Sequence, residues 1–419
     1  MSIKKKLFEK SLFLHRRIAR KFGISIELKR NAQTNVANIA PEEKKEQKEI
    51  QNSLWYNQVF SKKANEHCDL KHLSIAFIVP DPIKGSGGHR NIYRAVKFLK
   101  KSGHDLTVYY INTNLDAQTI KQQVTEWFYD MEDIPFIHYE GKLGYHDACV
   151  ATWWETAYAI INNKDKIKFP FYFVQDYEPS FYPTSSAAIL CENTYKQGFM
   201  HICSGPWCKA FLNKKYNARA EYFQFPVDRS VYNMNERRTK QNKNIIFFAK
   251  PEMPRRCYEI GIQSLGEFHK LAPDVEIILF GSNNVGDVPF PVTKLGILPT
   301  INDLATLYRN ADLGIVFSTT NPSLVPYEMM HCGLPVVDLN FDYALSKYGD
   351  SEDNVFLVDT LPNVMAKQIF DALNDDALLE KKKKSALEWV MKEFPSEDEM
   401  GKIVESIIIG EVGKNVGKV

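Results

Sequence analysis

Between Ser323 and Asn340 the chain reads SLVPYEMMHCGLPVVDLN, an order of residue types suited to holding an anion. Ser323, Leu324 and Val325 form a short turn into a helix that starts near Pro326, a residue fitted to a first helical position. Open amides at a helix start, added to the helix dipole, favour a diphosphate. Glu328 follows just inside, where a carboxylate can accept hydrogen bonds from ribose hydroxyls; electrostatic capping of its own helix is the plainer role. His331, Cys332 and Gly333 end the helix, and PVVDLN reads as the next buried strand.

A second group lies in FFAKPEMPRRCYEIGIQSL, residues 247–265, where a strand ends in Lys250 and a proline-rich turn brings Arg255 and Arg256 to a helix start. Cations there would stabilise a diphosphate that gains charge as it leaves a sugar. The loop Lys84-Gly85-Ser86-Gly87-Gly88-His89-Arg90 joins another strand to another helix, and its glycines let backbone amides approach a phosphate or sugar; a purely structural turn is the alternative. Its glycine spacing is neither a dinucleotide fingerprint nor a Walker loop, which disfavours a nicotinamide oxidoreductase. VATWWETA (150–157) and YFVQDYEPSFY (172–182) add flat faces for sugar rings in Trp153, Trp154 and Tyr177. Glu155, Gln175, Asp176 and Glu178 add acceptors for hydroxyls. Tryptophan pairs usually sit in a core, so one is expected to be buried and one to lie near the cleft.

Those residues need strands that end at a common cleft. The chain has 419 residues, more than one core organises, so two domains are expected. From about residue 72, short apolar runs alternate with amphipathic segments, the pattern of an α/β fold with a parallel sheet and crossover helices. LSIAFIVP, DLTVYYIN, PFIHY, ACVATWW, FPFYFVQD, HICSG and AEYFQFPV read as the first set of strands. A helix is expected from about 91 to 101. The hydrophilic NMNERRTKQNKN (233–244) interrupts the pattern, and NIIFFAK, VEIILFGS, KLGIL, LGIVFS, PVVDLN and NVFLVD resume it, with helical segments near 255–270, 301–310, 326–332 and 361–375. The expected division is 1–70, an N-terminal segment and linker; 71–235 and 236–394, two Rossmann-like domains; and 395–419, a C-terminal helix opened by a proline and a serine cap. Tandem domains of this kind face one cleft with the carboxyl ends of their strands.

Charge and cysteine usage bound the setting. Residues 1–30 hold ten Lys and Arg against Glu9 and Glu27, so the net +2 conceals a basic N-terminus and a remainder at −6. Apolar residues recur there at roughly helical spacing. Such a helix suits an anionic membrane surface, and packing on the protein's own body suits it equally. Seven scattered cysteines, with no two-residue spacing, argue for a reducing compartment over a zinc or disulfide framework. With no apolar stretch of about 18–20 residues and no signal-peptide core, the expected location is cytoplasmic, at most on the inner face of the membrane. No aspartate-x-aspartate motif ends an apolar strand, so no metal is expected. Nothing points to nucleic acid.

In these stretches the chain resembles the retaining GT-B glycosyltransferases of family four. That family carries a Glu, seven residues, a second Glu, a small-residue turn and a Pro-Val-Val strand. Glu328 and GLPVV match, whereas the first glutamate's position is Thr320. The family's first glutamate lies near the transferred sugar, so Thr320 implies an atypical donor, such as a deoxysugar nucleotide. The family's Arg and Lys that neutralise the diphosphate correspond to Lys250 and to Arg255 or Arg256, with the two charge types exchanged. VEIILFGS and LGILPTINDLATLYRNADLGIVFS resemble the family's base-binding region, which implies Gly281, Ser282 and Leu298 as neighbours of the base; ordinary turn packing explains each equally well. Its glycine-rich loop implies Gly87, Gly88 and His89 near the acceptor, with Asp176, His89 and Glu155 orienting the acceptor hydroxyl, and its last helix crosses back to the first domain. FVQDYEP further resembles bacterial rhamnan and S-layer-glycan rhamnosyltransferases of the WsaF type. This narrower resemblance implies a dTDP-L-rhamnose donor, no cofactor, and a growing or lipid-linked rhamnan acceptor. Two other readings remain compatible: a GT-B nucleotide-sugar epimerase, or a catalytically silent glycan-binding protein of this fold.

Overall fold

The computed structural model describes residues 68–111, 115–235 and 243–416, all within one compact unit, Ser53–Val419. The basic N-terminal segment and its linker lie outside the described residues. The first lobe is a seven-stranded parallel sheet in the order β3-β2-β1-β4-β5-β6-β7. Its strands are β1 (Ser74–Val79), β2 (Asp105–Tyr110), β3 (Phe136–His138), β4 (His146–Ala151), β5 (Ile167–Val174), β6 (Met200–Ser204) and β7 (Ala220–Phe223). Between them run α1 (Gly87–Lys101), α2 (Ala117–Trp127), α3 (Trp154–Asn162), α4 (Ser186–Thr194) and α5 (Pro206–Tyr216). Central strands such as β1 are buried on both faces and therefore read as unbroken apolar runs.

The second lobe repeats the doubly wound plan with six parallel strands in the order β10-β9-β8-β11-β12-β13. These are β8 (Asn244–Phe248), β9 (Glu276–Phe280), β10 (Thr293–Gly296), β11 (Leu313–Ile315), β12 (Val336–Leu339) and β13 (Phe356–Val358). The helices are α6 (Tyr258–Leu271), α7 (Ile301–Arg309), α8 (Val325–His331), α9 (Pro362–Asn374) and α10 (Asp376–Glu393). In each lobe the strand order reverses beside the first strand, which opens a crevice at the carboxyl ends of β1 and β8.

α11 (Glu397–Val416) returns to the first lobe, as the sequence resemblance implied. Ser396 starts it with a capping box: its hydroxyl accepts from the Glu399 amide at 3.3 Å, and its own amide donates to Glu399 at 2.7 Å. Met400, Val404, Ile408 and Val412 enter the first lobe's core. Arg94 pairs with Glu397 at 2.6 Å, His104 with Glu405 at 3.2 Å, and Arg219 with Glu411. Gly401 lies so close to the Phe98 ring that a Cβ there would overlap it.

Strand placement follows the sequence reading closely, with one local correction. The run ACVATWW is strand only to Ala151; Trp154 already opens α3, because the Thr156 hydroxyl accepts the Thr152 and Trp153 amides at 2.9 and 3.0 Å and turns the chain. The helix expected from Asn91 begins four residues earlier, at Gly87, behind a Ser86 cap. No described helix is long and apolar enough to cross a membrane. All seven cysteines are buried free thiols.

Candidate functional site

The lobes meet through the residues that follow β5. Val174 ends that strand inside the core, and Gln175 and Asp176 emerge at its carboxyl end. The Gln175 side chain donates to the Gly88 carbonyl at 3.1 Å and accepts from Asn91 at 3.3 Å, tying α1 to β5. The Asp176 carboxylate points into the other lobe. One oxygen accepts from Arg255 Nε at 3.0 Å; the other accepts from the Asn321 amide at 3.0 Å and the Tyr177 amide at 2.8 Å. Asn321 completes the junction by donating from its side chain to the Gln175 and Ser204 carbonyls, both at 2.8 Å.

Arg255 sits on the single 3₁₀ turn Pro254–Arg256, just before α6, and its guanidinium lies 4.4 Å over the Phe181 ring. Phe181 also stacks on Trp153, with ring centroids 5.8 Å apart. The two arginines of the turn have different surroundings. Arg255 borders the junction, whereas Arg256 is buried, donates to the Asn321 carbonyl at 3.3 Å and leaves its Nε without a partner. Lys250 follows β8 by two residues and reaches Glu252 at 3.0 Å. Burial is the largest single influence on Glu252 and pushes it up, but hydrogen bonds from its own amide, Lys250 and Ser282, with the charge of Lys250, together outweigh it and hold the group below the usual glutamate range. Glu252 is a neighbour of the candidate site that motif reading missed.

At the second lobe's turn, Tyr327 and Glu328 donate their amides to the Leu324 carbonyl at 3.0 Å, and Pro326 has no N–H. The Val325 amide faces the Ser323 hydroxyl at 3.4 Å. Glu328 is pushed up to about 7 by burial, offset in part by a hydrogen bond from the Tyr232 hydroxyl. Thr320 is buried, and its hydroxyl has no partner. A buried charge cluster props up its loop: Lys347 pairs with Asp338 at 3.0 Å and donates to the Ser318 carbonyl at 2.6 Å, while Asp338 accepts from the Ser318 amide at 2.9 Å and Tyr348 at 2.9 Å. An aspartate inside the apolar PVVDLN was its only sequence signal.

Gly281 has φ +100°, and a Cβ there would meet the Phe248 ring at 2.7 Å, so packing alone requires glycine. Ser282 is buried beside it and accepts from the Asn284 amide at 3.1 Å. Leu298 follows the carboxyl end of β10, one residue after Ile297, whose amide donates to the Asn283 side chain at 2.9 Å beyond β9, and it lines a shallow cavity with Pro299 and Leu307.

In the first lobe, Gly87, Gly88 and His89 form the first turn of α1, where the Ser86 hydroxyl accepts from the His89 amide at 3.3 Å. His89 is buried, stacks on Tyr93 and Phe128, and is pushed down by burial. A Cβ on Gly88 would crowd Gln175 at 3.2 Å, while Gly87 faces open space. Trp154 is buried, donating to the Tyr182 hydroxyl at 2.9 Å; Trp153 and Glu155 are half-buried. Tyr177 packs against Tyr195 and Phe211, with its hydroxyl 2.6 Å from that of Tyr216. Glu178 lies beneath them, fully enclosed. It accepts from the Trp154 amide and the Tyr172 hydroxyl, each at 2.8 Å, and burial pushes it up to about 8.

Residues 104–203 match the family "WsaF, N-terminal domain", and residues 243–370 match "WsaF, C-terminal domain", together more than half of the chain. The chain is a GT-B glycosyltransferase built from the two WsaF domains. This glycosyltransferase is 30% identical over 239 residues, 55% of its length, to the O-antigen biosynthesis protein RfbC of Myxococcus xanthus, and spans about a fifth (18%) of that relative. Its fold resembles HepE from Anabaena, solved with UDP and glucose, at a TM-score of 0.59 and 15% identity, covering 80% of this chain and 100% of that one. Sucrose-phosphate synthase from Thermosynechococcus elongatus superposes at 0.57 with 15% identity, over 81% and 100% of the two chains. Within this GT-B frame, Lys250, Arg255 and the turn at 323–325 follow strands of the second lobe, and Asp176 with Trp153 comes from the first. Among the described residues no group of three or more His, Cys, Asp or Glu is arranged to hold a metal ion.

Proposed function

We propose that this glycosyltransferase moves L-rhamnose from dTDP-L-rhamnose to a growing or lipid-linked rhamnan-type glycan, with retention of configuration and without a metal. The observation that carries the reading is Arg255, together with Lys250, at the carboxyl side of β8, in a chain whose two lobes match the WsaF domains. In the reaction the bond between the sugar's anomeric carbon and the diphosphate oxygen breaks, and a bond to the acceptor oxygen forms on the same face. The acceptor proton passes to the departing phosphate. Lys250 and Arg255 stabilise the charge that grows on that phosphate, an interaction stronger in the transition state than before it. Glu328 holds the ribose, and the amides of Ser323, Leu324 and Val325 hold the diphosphate. Trp153 offers a flat face to the acceptor sugar, and Asp176 accepts from its hydroxyl. The enzyme works in the cytoplasm, with the basic N-terminus as its contact to the membrane's inner face.

Thr320 favours a second reading. It stands where the family carries its first glutamate, and its hydroxyl is buried without a partner, which suits a glycan-binding protein without turnover. Titration with dTDP and UDP, followed by a nucleotide-sugar panel with defined rhamnose acceptors, separates the two. The transferase reading expects dTDP binding, and rhamnose transfer that is insensitive to EDTA and is lost in Lys250→Ala. Parental rates in both Lys250→Ala and Glu328→Gln would remove the assigned donor site, and no binding of any nucleotide would remove the transferase reading.

A further inference from the structure

The group assigned above to the leaving diphosphate and the group assigned to the acceptor hydroxyl are bonded to each other. Arg255 Nε donates to one oxygen of Asp176 at 3.0 Å, with the two side chains only 19% and 11% exposed. The ring of Phe181 closes one face of the guanidinium, and the terminal amino groups carry no hydrogen bond among the described residues. The second oxygen of Asp176 is held independently, by the Asn321 and Tyr177 amides. Asn321 is buried and bonded to two carbonyls of the first lobe, so it keeps Asp176 in place whether or not Arg255 is there.

We propose that Asp176 is an internal competitor for the donor: its carboxylate occupies Arg255 while the site is empty, and a bound diphosphate takes Arg255 over and frees Asp176 for the acceptor. The inference rests on the donor reading above and adds an order to it, donor before acceptor. A carboxylate and a phosphate make the same charge-assisted bond to a guanidinium, and a diphosphate carries more charge, so the exchange runs toward the donor. Before donor arrives, Asp176 has one oxygen on two amides and the other on Arg255, which leaves little capacity for a sugar hydroxyl. By linkage, whatever the pair costs the nucleotide, the nucleotide costs the pair.

The two oxygens make a selective test possible. Asp176→Asn keeps an acceptor for the Asn321 and Tyr177 amides and turns an NH₂ toward Arg255, which removes only the pair. In calorimetric titrations with dTDP, this variant should bind about five- to tenfold tighter than the parent, the low end of ordinary coupling between sites. Asp176→Ser, a second way to remove the partner, should shift in the same direction. Arg255→Gln should bind dTDP more weakly, and adding Asp176→Asn to it should change nothing further. Unchanged or weaker dTDP binding in folded Asp176→Asn and Asp176→Ser, with the parent binding normally, overturns the competitor while leaving the donor site intact. An equal gain with and without Arg255 overturns it too, because that is bulk repulsion between the aspartate and the diphosphate. A parent that binds no nucleotide removes the donor reading, and this inference with it.

Discussion

Glu178 offers the sharpest test of the first lobe's chemistry. Its carboxyl is 4% exposed, receives the Trp154 amide and the Tyr172 hydroxyl at 2.8 Å, and is pushed by burial from the ordinary 4.5 to about 8. The folded protein therefore keeps a proton that the unfolded chain gives up near pH 4.5. Stability from that proton is complete below 4.5, declines as pH rises, and is lost above about 8. At 1.36 kcal/mol per unit, the span is of the order of 5 kcal/mol. Glu178→Gln imitates the protonated form at every pH, retaining an oxygen for both donors. The variant should melt with the parent at pH 5 and on the order of 10 °C above it at pH 8.5, taking about 2–4 °C per kcal/mol for a chain of two such lobes. Differential scanning fluorimetry of both proteins from pH 4.5 to 9 measures the difference directly and cancels every other titrating group. A melting-temperature difference that stays flat across this range, or grows in the parent's favour as pH rises, would refute a protonated Glu178.

Three further outcomes follow from the same structure. Lys347→Met leaves Asp338 charged and buried without its partner, and should lower stability by about 3–5 kcal/mol in denaturant titration, with part recovered in Lys347→Met/Asp338→Asn. Gly401→Val places a branched side chain into the Phe98 ring and should loosen α11 from the first lobe, read as early proteolytic cleavage within 395–416 and a loss of at least about 1–3 kcal/mol. On the ribose assignment proposed above, Glu328, pushed up to about 7 by burial, is the stronger acceptor when ionised, so dTDP affinity should fall more steeply as pH drops from 8 to 6 in the parent than in Glu328→Gln. A parallel pH profile in both proteins would detach Glu328 from the nucleotide.

What was legible in the sequence divides along physical lines. Strands buried on both faces announce themselves as apolar runs, so LSIAFIVP and NIIFFAK map directly onto β1 and β8. The serine and proline at 395–396 signalled α11 because capping is a local interaction between residues three apart. ACVATWW misled because it is an apolar run across a strand end and a helix start, and only the Thr156 hydroxyl marks the turn between them. Gly281 and His89 stood out through their strand-end and loop positions and the family resemblance; the structure adds that a Cβ on Gly281 would meet Phe248 and that His89 stacks on Tyr93 and Phe128. Two of these contacts, Gly281 with Phe248 and His89 with Phe128, join residues more than thirty positions apart, and no local pattern contains them.

The residues at the junction show why types alone understate this site. Asp176 and Arg255 were each legible as candidates because an aspartate after a strand and an arginine before a helix stand at the carboxyl ends of their sheets. Their pairing was not, because it spans 79 positions and depends on how the lobes meet. Asn321 carried no signal, being a polar residue in a loop of polar residues, yet it bonds both lobes through its backbone and its side chain. A loop buried around such a residue must satisfy its amides and carbonyls internally, so the residue that does so is constrained by partners in both sheets. The demand on position 321 is therefore for an amide side chain of this length: aspartate would set a second carboxylate near Asp176 and lose both donations, and glutamine would overreach the Ser204 carbonyl.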